Sequence, residues 1–121
     1  MRHLIALAGA LAVAAVATAA AAGHPAATPT LVGTVGPGYT ITLKSGGKAV
    51  KTLKAGTYKL TIHDKANIHA FSVDGPNGYS KAFTAVAFVG TKTFTVKLKA
   101  GSYKYFCPPH ASIMFGDFTV K

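Results

Sequence analysis

The sequence contains very few acidic residues and very few sulfur-containing residues. Its 121 residues include three acidic side chains, one cysteine, two methionines and no tryptophan. A single cysteine excludes a scaffold of internal disulfides, so an apolar core must stabilise the fold. Because 50% of the residues are hydrophobic, a chain of this length can form one such core. We therefore predict a single domain.

The N-terminal stretch has the composition of an export signal. A basic start at Arg2 precedes an uncharged run of alanine, leucine and valine that ends in small residues before Gly23, as signal peptidase requires. A membrane anchor is the alternative, but an alanine-rich run is only weakly hydrophobic by membrane standards. The predicted organisation is a signal peptide over 1–23, a flexible leader over 24–30 and the folded domain over 31–121. We expect export, to the periplasm or to the cell envelope or extracellular space, without stable membrane insertion after cleavage.

Positive charge dominates the predicted mature chain. It has twelve lysines, no arginine and three aspartates, which gives a net charge of +9 with neutral histidines. Such a charge favours anionic partners. Nucleic acid is disfavoured, because the predicted mature chain lacks arginines for bidentate base contacts and lacks a basic recognition helix. Most lysines alternate along predicted strands, so a solvated sheet face explains their placement equally well.

From Leu31 onward, apolar and polar residues alternate in short segments separated by Gly, Pro, Asn and Asp, which is the pattern of β-strands. The predicted strands are 31–35, 39–43, 48–53, 57–63, 68–74, 82–89, 91–98, 102–107 and 115–121. No convincing helix follows the signal. This pattern predicts an all-β fold, an antiparallel sandwich or barrel.

A short repeat supports the sandwich. LKAGTYK at 53–59 and LKAGSYK at 98–104 share six of seven residues. Each predicts a crossing between sheets in which Tyr58 or Tyr103 returns its hydroxyl to the turn, as in the tyrosine corner of Greek-key sandwiches. Two unrelated hairpins with common turn residues are the alternative.

The only cysteine lies in YKYFCPPHASIMFG, residues 103–116. In an oxidising compartment an exposed thiol would be oxidised, so Cys107 is either buried as a small core residue or bound to a metal. Strand alternation places Cys107 on the same side as Tyr103 and Tyr105, facing the core. The same argument turns His69 inward, whereas His63 faces solvent.

Four metal-binding side chains are then available to one site: His69, Cys107, His110 and Met114. A lone inward histidine is more often a hydrogen-bonded core residue than a ligand, but the whole set combines soft sulfur with imidazole nitrogen. That is the ligand set of blue-copper centres, with methionine as the weak axial ligand. A structural zinc site would more usually have another Cys or His in place of the methionine. We therefore predict one copper ion per chain.

The segments NIHAFSVDGP, FVGTKTFTVKLKAGSYKYFCPPH and MFGDFTV resemble the cupredoxin family, especially its plastocyanin-like members. The resemblance covers the whole predicted mature chain. It implies a Greek-key antiparallel β-sandwich of about eight strands, with a mononuclear type 1 copper near one end that carries single electrons. By position, His69, Cys107 and His110 would be the strong ligands and Met114 the axial ligand.

Two features depart from the plastocyanin pattern. In plastocyanins the residue after the first ligand histidine is usually an asparagine that braces the ligand loop. In this sequence the residue after His69 is Ala70. Asn67, on the other side of His69, is the available substitute. The spacing from His110 to Met114 is also one residue shorter than in plastocyanins.

The resemblance also indicates how partners would dock. His110 would present its ring edge to the outside within an apolar rim of Pro108, Pro109 and Ile113, and Phe106 would lie below a second docking area. Loop packing alone is the alternative explanation for these apolar residues. We expect a monomer that meets acidic redox proteins near His110.

Other functions are less consistent with the sequence. Multicopper oxidases and copper nitrite reductases need further histidines, and the mature chain offers only four, at positions 24, 63, 69 and 110. His24 at a new N-terminus could form a copper brace only with another inward histidine. We therefore expect an electron carrier rather than an enzyme. A copper carrier or buffer of the cell envelope, and a metal-free adhesion sandwich, are the alternatives.

Overall fold

The computed structural model describes residues 12–14 and 27–121. Most of the predicted signal peptide and residues 24–26 of the predicted leader lie outside the described residues, as does His24. Within the described part, no helix is long and apolar enough to span a bilayer. The strands are β1 (Thr30–Val35), β2 (Ile41–Ser45), β3 (Lys48–Ala49), β4 (Thr52–Leu53), β5 (Gly56–Asp64), β6 (Ser72–Asp74), β7 (Ser80–Ala82), β8 (Gly90–Leu98), β9 (Gly101–Phe106) and β10 (Phe115–Val120).

The strands form two five-stranded sheets. One has the order β3-β2-β1-β5-β8 and the other β4-β10-β9-β6-β7. Most neighbours are antiparallel, but β1 pairs with β5 and β10 pairs with β4 in parallel. The predicted β-sandwich is confirmed, with mixed rather than purely antiparallel sheets.

The core lies between the sheets, where alternate residues of each strand meet. On β5 the inward side chains are Tyr58, Leu60, Ile62 and Asp64, all of which are buried. Gly33 of β1 allows this packing, because a Cβ there would lie 2.6 Å from Ile62 Cδ1. The last of the inward β5 residues is a carboxylate, and it lies at the end of the sandwich that carries the candidate site.

Both predicted tyrosine corners are present. The Tyr58 hydroxyl donates to the Lys54 carbonyl at 2.6 Å. The Tyr103 hydroxyl donates to the Lys99 carbonyl at 2.8 Å and accepts the Lys99 N–H at 3.0 Å. The repeated sequence therefore forms the same crossing twice, once at the start of β5 and once at the start of β9.

Two predicted strands are much shorter than expected. The segment 68–74 is a strand only from Ser72, and the segment 82–89 contributes only its first residue, the last of β7. Residues 83–89 instead form a loop whose Thr84 is buried and accepts the Phe71 N–H at 2.8 Å. This hydrogen bond fixes the chain just after His69 without adding a strand to the sheet.

Candidate metal centre

The loop between β9 and β10 is closed on itself by backbone hydrogen bonds. Cys107 N–H donates to the Met114 carbonyl at 3.0 Å, and Met114 N–H donates to the His110 carbonyl at 2.8 Å. Pro108–His110 form a single 3-10 turn, in which His110 N–H donates to the Cys107 carbonyl at 2.9 Å. Proline suits the start of such a turn because its φ is already fixed and no N–H is lost. The loop therefore holds Cys107, His110 and Met114 as one unit.

His69 reaches the same place from the loop between β5 and β6. Its N–H donates to the Ala66 carbonyl at 3.3 Å, and its side chain is completely buried. The next residue, Ala70, donates its N–H to Cys107 Sγ at 3.4 Å. Gly36 lies against the ring with φ +76°, and a Cβ there would be 3.1 Å from His69 Cδ2. The inward direction predicted for His69 is confirmed, although a turn rather than a strand sets it.

Three donor atoms converge in a nearly regular triangle. The separations are 3.2 Å for His69 Nδ1 to His110 Nδ1, 3.6 Å for Cys107 Sγ to His110 Nδ1, and 3.8 Å for Cys107 Sγ to His69 Nδ1. A point equidistant from three atoms so spaced lies about 2 Å from each, close to the length of metal–imidazole and metal–thiolate bonds. The arrangement therefore fits a trigonal two-histidine, one-thiolate copper site.

The surroundings of this triangle are dry on one side and open on the other. Cys107 is completely buried and Met114 is 1% exposed, whereas His110 is half-buried. Met114 belongs to the same hydrophobic cluster as Cys107, so its thioether is held inside the protein beside the ligand loop. Among the described residues, no other group of histidine, cysteine and carboxylate side chains is arranged to hold a metal. His63, half-buried on the other face of β5, shares a hydrogen bond with Thr91 Oγ1 at 3.0 Å instead.

Tyr39 is a site residue that sequence reasoning missed. Its ring lies edge-on to both imidazoles, with centroid distances of 5.0 Å to His110 and 5.5 Å to His69. The side chain is 59% exposed, so it separates part of the site from solvent. The sequence places Tyr39 at the start of the predicted strand 39–43, whereas β2 begins only at Ile41, so the pattern gave no signal that Tyr39 belongs to the site.

Asp64 and Thr84 were missed as well. Burial raises the pKa of Asp64, while the Ala66 N–H, the His69 charge and the Thr84 hydroxyl act in the opposite direction.

The suggested brace, Asn67, is exposed, whereas Thr84 is buried and its hydroxyl accepts the backbone N–H of Phe71. Thr84 therefore supports the backbone at Phe71, next to Ala70.

Exposed apolar side chains lie on the same loop as His110. Pro108, Pro109 and Ile113 are all exposed, Ile113 to 63%, and Tyr39 adjoins them across the His110 ring. The three residues of the predicted rim are therefore all accessible to solvent.

Comparison with known proteins agrees with this geometry. The family model of copper-binding proteins of the plastocyanin/azurin family matches residues 19–121. Reduced rusticyanin is 26% identical, with a TM-score of 0.58 over 81% of this chain and 82% of that chain. Rusticyanin from Thiobacillus ferrooxidans is also 26% identical, with a TM-score of 0.50 over 81% and 80% of the two chains.

A more distant likeness concerns the fold alone. The Cu(I) form of an amicyanin variant is 14% identical, with a TM-score of 0.51 over 77% of this chain and 83% of that chain. A search of curated proteins finds no match. The family match covers the entire sandwich and all three atoms of the donor triangle, and the chain therefore belongs to the plastocyanin/azurin family of copper-binding proteins, the cupredoxins.

Proposed function

We propose that this protein is an exported type 1 copper protein that transfers single electrons between redox partners. The ligands are His69, Cys107 and His110, with Met114 as the axial ligand. The observation that carries the proposal is the donor triangle, with one soft sulfur and two imidazole nitrogens 3.2–3.8 Å apart. Copper supplies the one-electron Cu(I)/Cu(II) couple.

The chain contributes a site that is already assembled. His69 and Cys107 are completely buried and their loops are held by backbone hydrogen bonds, so the donor atoms have little freedom to move. Cu(I) and Cu(II) prefer different geometries, and a rigid site satisfies neither fully. Little rearrangement then accompanies gain or loss of an electron, which favours fast exchange.

Two residues connect this site to the surface. Cys107 lies at the end of β9 and provides the sulfur through which the site couples to the protein. His110 is half-buried and reaches the apolar rim of Pro108, Pro109 and Ile113, where a partner approaches most closely. Phe106, also half-buried, adjoins Cys107 and marks the second docking area.

The test of copper binding uses a histidine control. Wild-type protein should bind one Cu(II) per chain and develop an intense visible thiolate-to-copper absorption, and Cys107→Ser should abolish it. His63→Gln should keep it, because His63 lies outside the donor triangle. A Cys107→Ser variant that retains the band would overturn the ligand assignment.

A copper carrier or buffer is the second candidate, favoured by the half-exposure of His110, which leaves one ligand accessible to an acceptor. Voltammetry distinguishes the two functions. Reversible cycling with retained metal supports electron transfer, whereas rapid handover of copper to an apo-acceptor supports carriage.

We further propose that the partners are acidic redox proteins and that the protein acts as a monomer. The predicted mature charge of +9 supports this choice. Electron transfer should slow as salt rises, because the Debye length falls to about 8 Å at physiological ionic strength and screens exposed charges. Rates that do not respond to salt would instead favour docking through the apolar rim alone.

A further inference from the structure

Two buried polar atoms near the site have no hydrogen-bond partner in the described part of the chain. They are His69 Nε2 and Asp64 Oδ2. Buried polar atoms are nearly always paired, and leaving a carboxylate oxygen unpaired is costly. These two atoms are also complementary, since an imidazole N–H donates and a carboxylate oxygen accepts.

Both atoms belong to groups that pack around one turn. Asp64 ends β5, and its Oδ1 accepts the Ala66 N–H at 3.2 Å. The backbone N–H of His69 donates to the backbone carbonyl of the same Ala66 at 3.3 Å. His69 Cδ2, the ring atom bonded to Nε2, lies against Gly36, where an added Cβ would be 3.1 Å from Cδ2 and 3.2 Å from the Cβ of Ala66. The Cδ2–Nε2 edge of the imidazole therefore lies beside Gly36, which Ala66 of the same turn also adjoins, while Nδ1 faces Cys107 and His110.

Electrostatics agrees with this placement. Burial raises the pKa of Asp64, and an electrostatic interaction with His69 acts in the opposite direction, so the two groups lie near each other. Asp64 is one of only three acidic residues in a chain of net charge +10. It is 2% exposed, whereas Asp74 and Asp117 are exposed. Asp64 is the only one of these carboxylates that lies inside the sandwich.

We propose that Asp64 is a positioning residue for the metal site: its carboxylate accepts the His69 Nε2–H, directly or through one bridging water, and thereby keeps the Nδ1 lone pair aimed at the copper. This inference rests on the proposed copper function. A carboxylate behind a ligand imidazole fixes the ring orientation and tautomer and makes the ligand nitrogen a better donor. It also places negative charge close to the metal, which favours Cu(II) over Cu(I).

The test compares two isosteric variants, Asp64→Asn and Asp74→Asn. Loss of a partner of this kind typically costs about 10–100-fold in metal affinity. Asp64→Asn should therefore weaken Cu(II) binding by about that factor, measured by competition with a chelator, and should raise the reduction potential. Asp74→Asn, which changes the same charge at an exposed position, should leave the affinity within about twofold of wild type. Equal affinities and potentials for Asp64→Asn and wild type would overturn the proposal.

A second measurement does not depend on the folding of a variant. In the wild-type protein loaded with diamagnetic Cu(I), nitrogen NMR of the His69 ring should show Nε2 carrying a proton that exchanges slowly with water. A rapidly exchanging proton, or a proton on Nδ1, contradicts the proposal. Failure of the proposed copper site is distinguishable, because the wild-type protein would then bind no copper at all.

Discussion

The ring of Tyr39 stands edge-on to the ring of His110, with centroids 5.0 Å apart and an interplanar angle of 87°. The same tyrosine makes a second edge contact with His69, so one exposed side chain spans both imidazoles of the donor triangle. Edge-to-face aromatic pairs contribute about 0.5–1.5 kcal/mol each beyond their buried area. Tyr39 therefore both holds the two rings and restricts access to the space between them.

Replacing Tyr39 by alanine should make copper easier to remove. Loss of the two ring contacts should accelerate release to an external chelator by about tenfold, since 1.4 kcal/mol corresponds to that factor. Tyr39→Phe retains the ring and should release copper at the wild-type rate. The exposed Phe115 provides a matched control, because Phe115→Ala removes an aromatic ring outside these contacts. Equal release rates for Tyr39→Ala and Phe115→Ala would contradict a protective role.

Met114→Leu should keep the visible band and raise the reduction potential. Leucine fills a similar volume in the buried position of Met114 but removes the thioether donor, which stabilises Cu(II) more than Cu(I). Voltammetry and the visible spectrum of the same sample measure both effects. An unchanged potential would mean that Met114 is not the axial ligand.

The two tyrosine corners should contribute unequally to stability. Tyr58 makes one hydrogen bond to its turn and Tyr103 makes two. At about 1 kcal/mol net per bond, Tyr58→Phe should reduce the free energy of unfolding by about 1 kcal/mol and Tyr103→Phe by about 2 kcal/mol. Urea unfolding of the apoprotein measures both, and a larger loss for Tyr58→Phe would refute the ranking.

The sequence was sufficient to predict the sandwich and the loop that carries Cys107, His110 and Met114, because both depend on local patterns. Period-2 alternation identified the long strands, and the repeated LKAG turn identified both corners. Close spacing along the chain placed Cys107 and His110 in one loop. These features need no knowledge of how distant segments pack.

The parts that were missed depend on contacts between distant segments. His69 was assigned to a strand, yet Phe71, Ser72 and Val73 are all buried, so alternation does not apply there. Thr84 is drawn inward by the Phe71 N–H, a contact that period-2 alternation cannot reveal. Asp64 could have been noticed, since it continues the inward series of Leu60 and Ile62 as a charged residue.

The burial of Asp64 predicts how the stability of the apoprotein depends on pH. Burial raises the pKa of Asp64 above its ordinary value of 3.8, so the folded state binds the proton more tightly than the unfolded chain. This tighter proton binding contributes to the free energy of unfolding. The contribution is fully present below pH 3.8 and is lost as the pH rises through the raised pKa of Asp64. The free energy of unfolding of wild type relative to Asp64→Asn should therefore fall across that interval. A difference that is independent of pH would show that Asp64 has no raised pKa.

The prolines of the ligand loop should influence the reduction potential as well as the shape of the turn. Pro108 and Pro109 have no N–H, so neither can donate to the thiolate of Cys107. Among the described residues, Ala70 N–H is the backbone donor to this sulfur, at 3.4 Å. Fewer donors leave more charge on the sulfur, and an electron-rich thiolate favours Cu(II). The wild-type loop should therefore keep the potential lower than a loop with a second donor.

Pro109→Ala restores an N–H beside His110 and should raise the potential by some tens of millivolts, roughly the 59 mV that corresponds to a tenfold change in a one-electron equilibrium. Pro76→Ala is the matched control, because Pro76 begins the other 3-10 turn, Pro76–Gly78, which contributes no atom to the donor triangle. Voltammetry of the two variants and wild type compares the potentials under identical conditions. If Pro109→Ala shows an equal or lower potential with an intact copper spectrum, the missing donor has no electronic effect, and the prolines act only by fixing the turn that carries His110 back toward Cys107.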